Sequence, residues 1–357
     1  MATSSGSLRR AIGCLYGQLV GDSLGARYEF KAAQQVASMV AADRTDDGFL
    51  PILGGGPFFM KPGQVTDDSE MALSLARSLV ELKKFSAEDV ATSYVAWIQS
   101  NPPDRGIATA NALEIRGAEF RKPVGSDCHS DLFAQEKVVL LEMVHKRVRD
   151  KNPGSGSNGP LMRISPMGIA TARWKKEQRV RECVVADVEL THCHELVKEA
   201  VVAYVMAIRA LINGDPAESA FEAALSSVQS PWARQCLADA RKSATPVKLF
   251  DGAEIAGDTE KIGFIGIAFQ SAFYELLHAE SFVQGVERAV LRGGDTDTNG
   301  CIVGALLGAR FGEEGVPGKW KRCVREAKPR DPAYRHLRTD DVEELARRLI
   351  EEVSENV

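Results

Sequence analysis

Apolar positions recur at helical spacing along most of this chain. In residues 8–25, Ile12, Leu15, Tyr16, Leu19 and Val20 fall on one face, and the same period predicts helices over residues 70–82, 86–99, 109–120 and 132–148. It continues over residues 161–174, 196–212, 216–226, 232–242, 264–277, 281–291 and 339–357. Ser86 and Asp89 form a variant capping box, and Thr339 is placed to cap the last helix, whose buried stripe is Val342, Leu345, Ala346 and Ile350. No segment shows the strict alternation of a half-buried strand, so the expected fold is all-α, built of many packed helices. Glycines 13, 17, 21 and 25 add a bare stripe to the first helix. Such a stripe lets a second helix approach closely, and Asp22 and Arg27 beside it favour packing in a soluble core over a membrane dimer.

The breaks in the pattern are equally informative. Residues 42–63 hold Asp43, Asp46, Asp47, Gly54, Gly55, Gly56, Pro57 and Pro62, a long loop that reads as a flexible lid because it delivers the chain to an acidic cluster at residues 66–68. Residues 101–106 interrupt the helices, and residues 121–160 are irregular apart from the helical run within them. Residues 152–160 are rich in Asn, Gly, Ser and Pro, a composition that lets backbone amides approach a phosphate, although no P-loop lysine accompanies it.

Composition narrows the class. The 357 residues are 44% hydrophobic and 26% charged, which is ample for a packed core, and the net charge of -5 without any long basic run argues against a nucleic-acid partner. No run of eighteen apolar residues exists, and the N-terminus lacks a secretory apolar region, so no membrane association is expected. Seven cysteines at positions 14, 128, 183, 193, 236, 301 and 323 form no C-x-x-C pair and fit a reduced, cytoplasmic protein.

Chemistry gathers in two places. Asp295 and Asp297 stand two apart with Thr298 beside them, and far upstream Thr66, Asp67, Asp68 and Ser69 repeat the theme before a second helix. Asp, Ser and Thr before an apolar-periodic run also serve as N-caps. A cap needs one side-chain oxygen, however, whereas each stretch supplies at least three, including two carboxylates that repel one another unless a cation lies between them. Hard oxygen donors of this kind suit Mg²⁺, and the two stretches are expected to meet. Glu29, between Tyr28 and Phe30, reads from the residues alone as a surface glutamate, the alternative being that the two aromatics partly desolvate it and raise its pKa toward that of a general acid or base. His192, Cys193 and His194 lack the distant partner a zinc site needs and read instead as polar contacts at a helix start.

Taken together, Gly21-Asp22 with Gly25 and Glu29, Thr66 to Ser69, Asn158-Gly159 through Met162 and Arg163, Thr191-His192 with His194, and Gly293-Gly294-Asp295 with Asp297 and Thr298 resemble the ADP-ribosylglycohydrolase family. The pieces run in family order over most of the chain, from about residue 8 to residue 312. Ser69, where threonine is frequent, Cys193, and an expanded segment at 121–157 depart from the common pattern.

The resemblance implies one all-α hydrolase domain over residues 1–357, with two Mg²⁺ ions, or Mn²⁺ in their place, held by Thr66, Asp67, Asp68, Asp295, Asp297 and Thr298. It implies Glu29 and Asp68 as catalytic groups, and Asn158, Gly159, Met162, His192, Gly294, Asp295 and Thr296 as contacts to ADP-ribose. The expected substrate is an ADP-ribosylated protein, with arginine as the first-choice linkage, serine-linked or O-acetyl ADP-ribose as the alternative, and a non-catalytic ADP-ribose binder as the reading from another class. A monomer is expected.

Overall fold

The structure, a computed structural model, describes residues 4–115, 134–331 and 334–355. Its axis is a pair of antiparallel helices, α1 (Ser4–Gly25) and α15 (Thr296–Gly315). The glycine stripe of α1 meets a second stripe on α15, so that a Cβ built at Gly17 would lie 2.0 Å from the carbonyl oxygen of Gly304, and one at Gly21 would lie 1.9 Å from that of Gly300. Only hydrogen fits at such a crossing, which fixes how the two helices mesh.

Between them in the chain lie α2 (Ala33–Asp43), α3 (Asp67–Leu82), α4 (Ala87–Ile98), α5 (Ile107–Leu113), α6 (Ala134–Lys151), α7 (Gly159–Arg163), α8 (Ser165–Ala170), α9 (Glu177–Val188), α10 (Glu195–Ile212), α11 (Ala217–Ser227), α12 (Pro231–Ala240), α13 (Ile265–His278) and α14 (Phe282–Leu291). After α15 come α16 (Gly318–Glu326) and α17 (Val342–Glu352). Helix α10 is buried along nearly its whole length and packs against α8, α9, α11 and α15, while α17 lays Val342, Leu345, Ala346, Leu349 and Ile350 against α1, α3 and α8. Among the described residues the strands are two-residue pieces: β1 (Lys31–Ala32) pairs antiparallel with β4 (Gly293–Gly294), and β2 (Val247–Lys248) with β3 (Glu254–Ile255). The fold is all-α.

Several elements differ from the sequence expectation. Residues 161–174 form two short helices with a break at Ile164, because Pro166 at the start of α8 has no N–H to continue the preceding ladder. Residues 42–63 are not a free lid. Leu50, Ile52 and Met60 are buried, Trp320 Nε1 donates to the Leu50 carbonyl at 2.7 Å, and Arg27 pairs with Asp43, so the segment is tied to α1 and α16. Thr339 does not cap the last helix; its hydroxyl donates to the Val324 carbonyl at 2.6 Å, and Asp341 occupies the cap position without a capping hydrogen bond. The helix expected over 109–120 is α5, which ends at Leu113, and residues 116–133, with most of the irregular segment's first half, lie outside the described residues.

Candidate active site

Because α1 and α15 run antiparallel, the C-terminal end of α1 lies against the N-terminal end of α15, and α3 begins beside them. The two acidic stretches are the starts of α15 and α3. Thr66 and Asp295 occupy the N-cap positions, yet neither side chain makes a capping hydrogen bond. Thr66 Oγ1 instead lies 2.8 Å from Asp68 Oδ2 and 3.0 Å from Asp22 Oδ1, and Asp295 Oδ2 accepts from Asn158 Nδ2 at 2.8 Å. The capping alternative therefore fails for both stretches, and they lie close enough for the Asp295 charge to act on Asp67 and Asp68 and the Asp68 charge on Asp297.

Glu29 is brought to the same place by the link after α1. Phe30 N donates to the Gly294 carbonyl at 2.8 Å, the β1–β4 pair continues from there, and Tyr28 OH donates to Asp43 Oδ2 at 2.9 Å, so Glu29 is pinned from both sides. Only 4% of Glu29 is exposed. Glu29, Asp104 and Asp297 each offer a carboxylate oxygen within 4.8 Å of the others. Asp104, in the break at residues 101–106, was not expected from sequence, since an aspartate in a Pro-rich turn carries no distinguishing spacing.

The electrostatics are those of buried carboxyls crowded together. Burial, then the charges of Asp104 and Asp295, pushes Glu29 up to about 9; burial, then Asp67 and Asp295, does the same for Asp104; and burial lifts Asp22 to about 6. Asp67, Asp68 and Asp297 stand well above the usual carboxylate range, and Asp295 is also raised, in each case chiefly by burial. Among the described residues, none of these carboxyls forms an ion pair with lysine, arginine or histidine. Glu29 Oε2, Asp68 Oδ1 and Asp297 Oδ2 are buried without a hydrogen-bond partner. A dense set of hard oxygens with orphaned lone pairs fits divalent cations such as Mg²⁺.

Above this floor is a cavity of about 680 Å³, whose wall includes Glu29, Asp67, Asp104, Asn158, Gly159, Met162, Asp295 and Thr298. It adjoins a second hollow of about 660 Å³ through Gly154, Ser155, Ser157, Ile262 and Gly263, where Phe250 and Phe264 add aromatic surface. Asn158, Gly159 and Met162, expected as contacts to ADP-ribose, line this cavity. Thr66, Asp68 and Asp297 lie beneath the wall.

Three residues expected to touch substrate stand back from it. His192 is fully buried, with Nε2 2.7 Å from Ser157 Oγ and Nδ1 2.9 Å from Thr191 Oγ1, and burial with the nearby Arg163 charge pushes its pKa down to about 3, so a neutral ring supports the loop behind Ser157. Gly294 pairs with Lys31 at a φ of +75°, and a Cβ there would meet the Gly257 carbonyl oxygen at 2.5 Å. Thr296 spends its hydroxyl on the Gly25 carbonyl at 2.8 Å. His194 accepts from Leu196 N at the head of α10, the helix-start role expected of it. Beneath the 158–163 turn, Arg163 Nε donates to Asp187 Oδ1 at 3.0 Å with both side chains fully buried, and Tyr94 OH donates to Asp187 Oδ2 at 2.9 Å.

The model of the ADP-ribosylglycohydrolase family matches residues 3–356. The chain belongs to that family. It is 29% identical over 323 residues to the putative ADP-ribosyl glycohydrolase L543 of Acanthamoeba polyphaga mimivirus, covering 87% of this chain and 89% of that one. It is 24% identical over 336 residues to the ADP-ribosylarginine hydrolase Tri1 of Pseudomonas putida (strain GB-1), covering 90% of this chain and 76% of that one. A solved ADP-ribosylglycohydrolase-related protein complex superposes with a TM-score of 0.69 at 23% identity, covering 98% of this chain and 100% of the other, and shares its fold. This ADP-ribosylglycohydrolase is accordingly a hydrolase of ADP-ribose linkages. Among the described residues no helix is long and apolar enough to cross a membrane.

Proposed function

We propose that this glycohydrolase removes ADP-ribose from modified arginine side chains of proteins, using two Mg²⁺ ions, or Mn²⁺, held by Thr66, Asp67, Asp68, Asp295, Asp297 and Thr298. The observation that carries the reading is the meeting of two acidic helix starts with Glu29 and Asp104 under one cavity. When bound, the cations supply charge that polarises water and orients the ribose hydroxyls. Cleavage at C1″ develops oxocarbenium character, and a carboxyl beside the bond moves the proton between water and leaving group.

Glu29 is the group best placed for that proton, because it reaches the cavity wall while remaining almost wholly buried. Asp104 reaches the same wall, and a carboxylate there pairs with the guanidinium of an arginine leaving group, which is what favours arginine over a serine or acetyl linkage. Asp68 acts from behind, as a ligand, since it lies beneath the wall and is 1% exposed. Asn158 orients Asp295 and faces the cavity, the amides of residues 154–159 suit the pyrophosphate, and Phe250 and Phe264 offer stacking surface for the base. The name of the Pseudomonas relative Tri1, an ADP-ribosylarginine hydrolase, supports the same linkage.

The test is a parallel assay on arginine-linked, serine-linked and O-acetyl ADP-ribose, reading free ADP-ribose by chromatography. The expected result is release from arginine with Mg²⁺ and none with a chelator. Release from serine or acetyl alone overturns the linkage, and release of AMP or phosphate overturns glycoside hydrolysis.

A further inference from the structure

Asp22 is fully buried on α1, one turn before its end, and does not reach the cavity wall. Its carboxylate is spent on the start of α3. Oδ1 accepts from Thr66 N at 3.0 Å and lies 3.0 Å from Thr66 Oγ1, while Oδ2 accepts from Thr66 N at 3.2 Å and from Ser69 N at 3.1 Å. One turn farther along α1, the Gly25 carbonyl accepts from Thr296 Oγ1 at 2.8 Å. The end of α1 therefore grips both acidic stretches, the first through Asp22 and the second through Gly25.

The Thr66 hydroxyl has one proton and two carboxylate oxygens within reach, Asp68 Oδ2 at 2.8 Å and Asp22 Oδ1 at 3.0 Å. A hydroxyl that ligates a cation presents a lone pair to it and must send its proton elsewhere. Asp68 faces the cation site itself, with Oδ1 buried and unpartnered. Asp22 is held by the backbone amides of Thr66 and Ser69 and does not line the cavity.

We propose that Asp22 is a positioning residue of the cation site: it accepts the Thr66 hydroxyl proton, turns the Thr66 oxygen toward the cation, and sets the start of α3 at the distance from α15 that the shared ions require. The inference rests on reading the two acidic stretches as a Mg²⁺ site. A residue that merely capped α3 would move stability equally with and without cation, whereas a positioning residue moves cation affinity.

Asp22→Asn keeps the volume and one acceptor oxygen but replaces the other with a donor. Calorimetric titration of the full chain with Mg²⁺ and Mn²⁺, on protein shown by its melting transition in chelator to be folded, is expected to show affinity about 10–100-fold weaker than wild type, the range for lost partners of metal ligands. Thr66→Val is expected to weaken binding similarly, and the double variant no more than either single one, because the two changes remove one shared interaction. Wild-type affinity in Asp22→Asn, or losses that multiply in the double variant, overturns the proposal. A wild-type chain that binds neither cation overturns the metal reading itself. Should Asp22→Asn not fold, a crystal structure of the wild-type protein with Mg²⁺ decides: Thr66 Oγ1 on the cation and within hydrogen-bond distance of Asp22 upholds the proposal, whereas Asp22 as a direct ligand, or Thr66 outside the coordination shell, overturns it.

Discussion

Glu29 shows how much of a site depends on one side chain's surroundings. Between Tyr28 and Phe30 it looks like a surface residue, yet the Phe30 to Gly294 hydrogen bond folds it under the cavity and burial carries its pKa to about 9. Replacing it with glutamine removes the ionisable group at constant volume. The turnover number is expected to fall by about 10²–10⁴-fold, the usual worth of a general acid or base, while calorimetry still detects cation binding. An unchanged turnover number would reduce Glu29 to scaffold. Asp67→Asn and Asp295→Ala address the ligands. Each is expected to lower turnover by more than about 100-fold, since even outer-shell partners cost about 10–100-fold in affinity or activity. Asp67→Asn should not lower the melting temperature measured in chelator, because it removes a buried charge without an ionic partner, whereas Asp295→Ala also strands Asn158 Nδ2 and is expected to lower it. A variant that keeps near-normal turnover would remove its residue from the ligand set.

At the scale of elements, the helix pair that builds the site was half legible. The four-residue glycine spacing in α1 announced a close neighbour, but the matching glycines at 300, 304 and 308 in α15 have meaning only once that neighbour is known. Helix α2 buries only Val36 and Val40, too few apolar positions to display a period, and α16 buries only Trp320 and Val324. Helix α9 places Val180, Cys183, Val184 and Val188 at helical spacing, but charged residues crowd between them and mask the stripe. The two acidic stretches were legible because their carboxylates over-supply a cap; the places of Asp104 and Asp22 beside them were not, because they come from what lies opposite in the fold. The glycine crossing gives a test at this scale. Gly304→Val places side-chain atoms where the Gly17 carbonyl oxygen sits 2.1 Å from a Cβ, so the helices must part. Chemical denaturation is expected to show a loss of about 1–3 kcal/mol or more, as for other overpacked contacts, accompanied by weaker Mg²⁺ binding as the start of α15 shifts from α3. Unchanged stability would mean that the crossing is looser than its geometry indicates.

Across the whole molecule, the buried carboxyls make stability a function of pH and of cations together. Glu29 and Asp104, near 9, and Asp22, near 6, bind protons more tightly in the folded chain than in the unfolded one, whose carboxyls titrate in the ordinary range. When the folded state holds more protons than the unfolded state, the stability of the cation-free protein falls as pH rises from the unfolded pKa values toward the folded ones. In chelator the melting temperature should therefore decline between about pH 5 and pH 9, the window those values define. In the proposed metal site divalent cations would reverse the sign, since they would bind the ionised oxygens and displace the protons, so their affinity is expected to grow with pH. Their stabilising effect follows from binding only the folded state, and the gap between melting curves with Mg²⁺ and with chelator should widen steadily over the same range. Scanning fluorimetry at several pH values with each addition measures both trends at once. A chelated protein that gains stability toward high pH would show that these carboxyls are not the dominant titrating groups, and a gap that stays constant would show that cations do not bind among them.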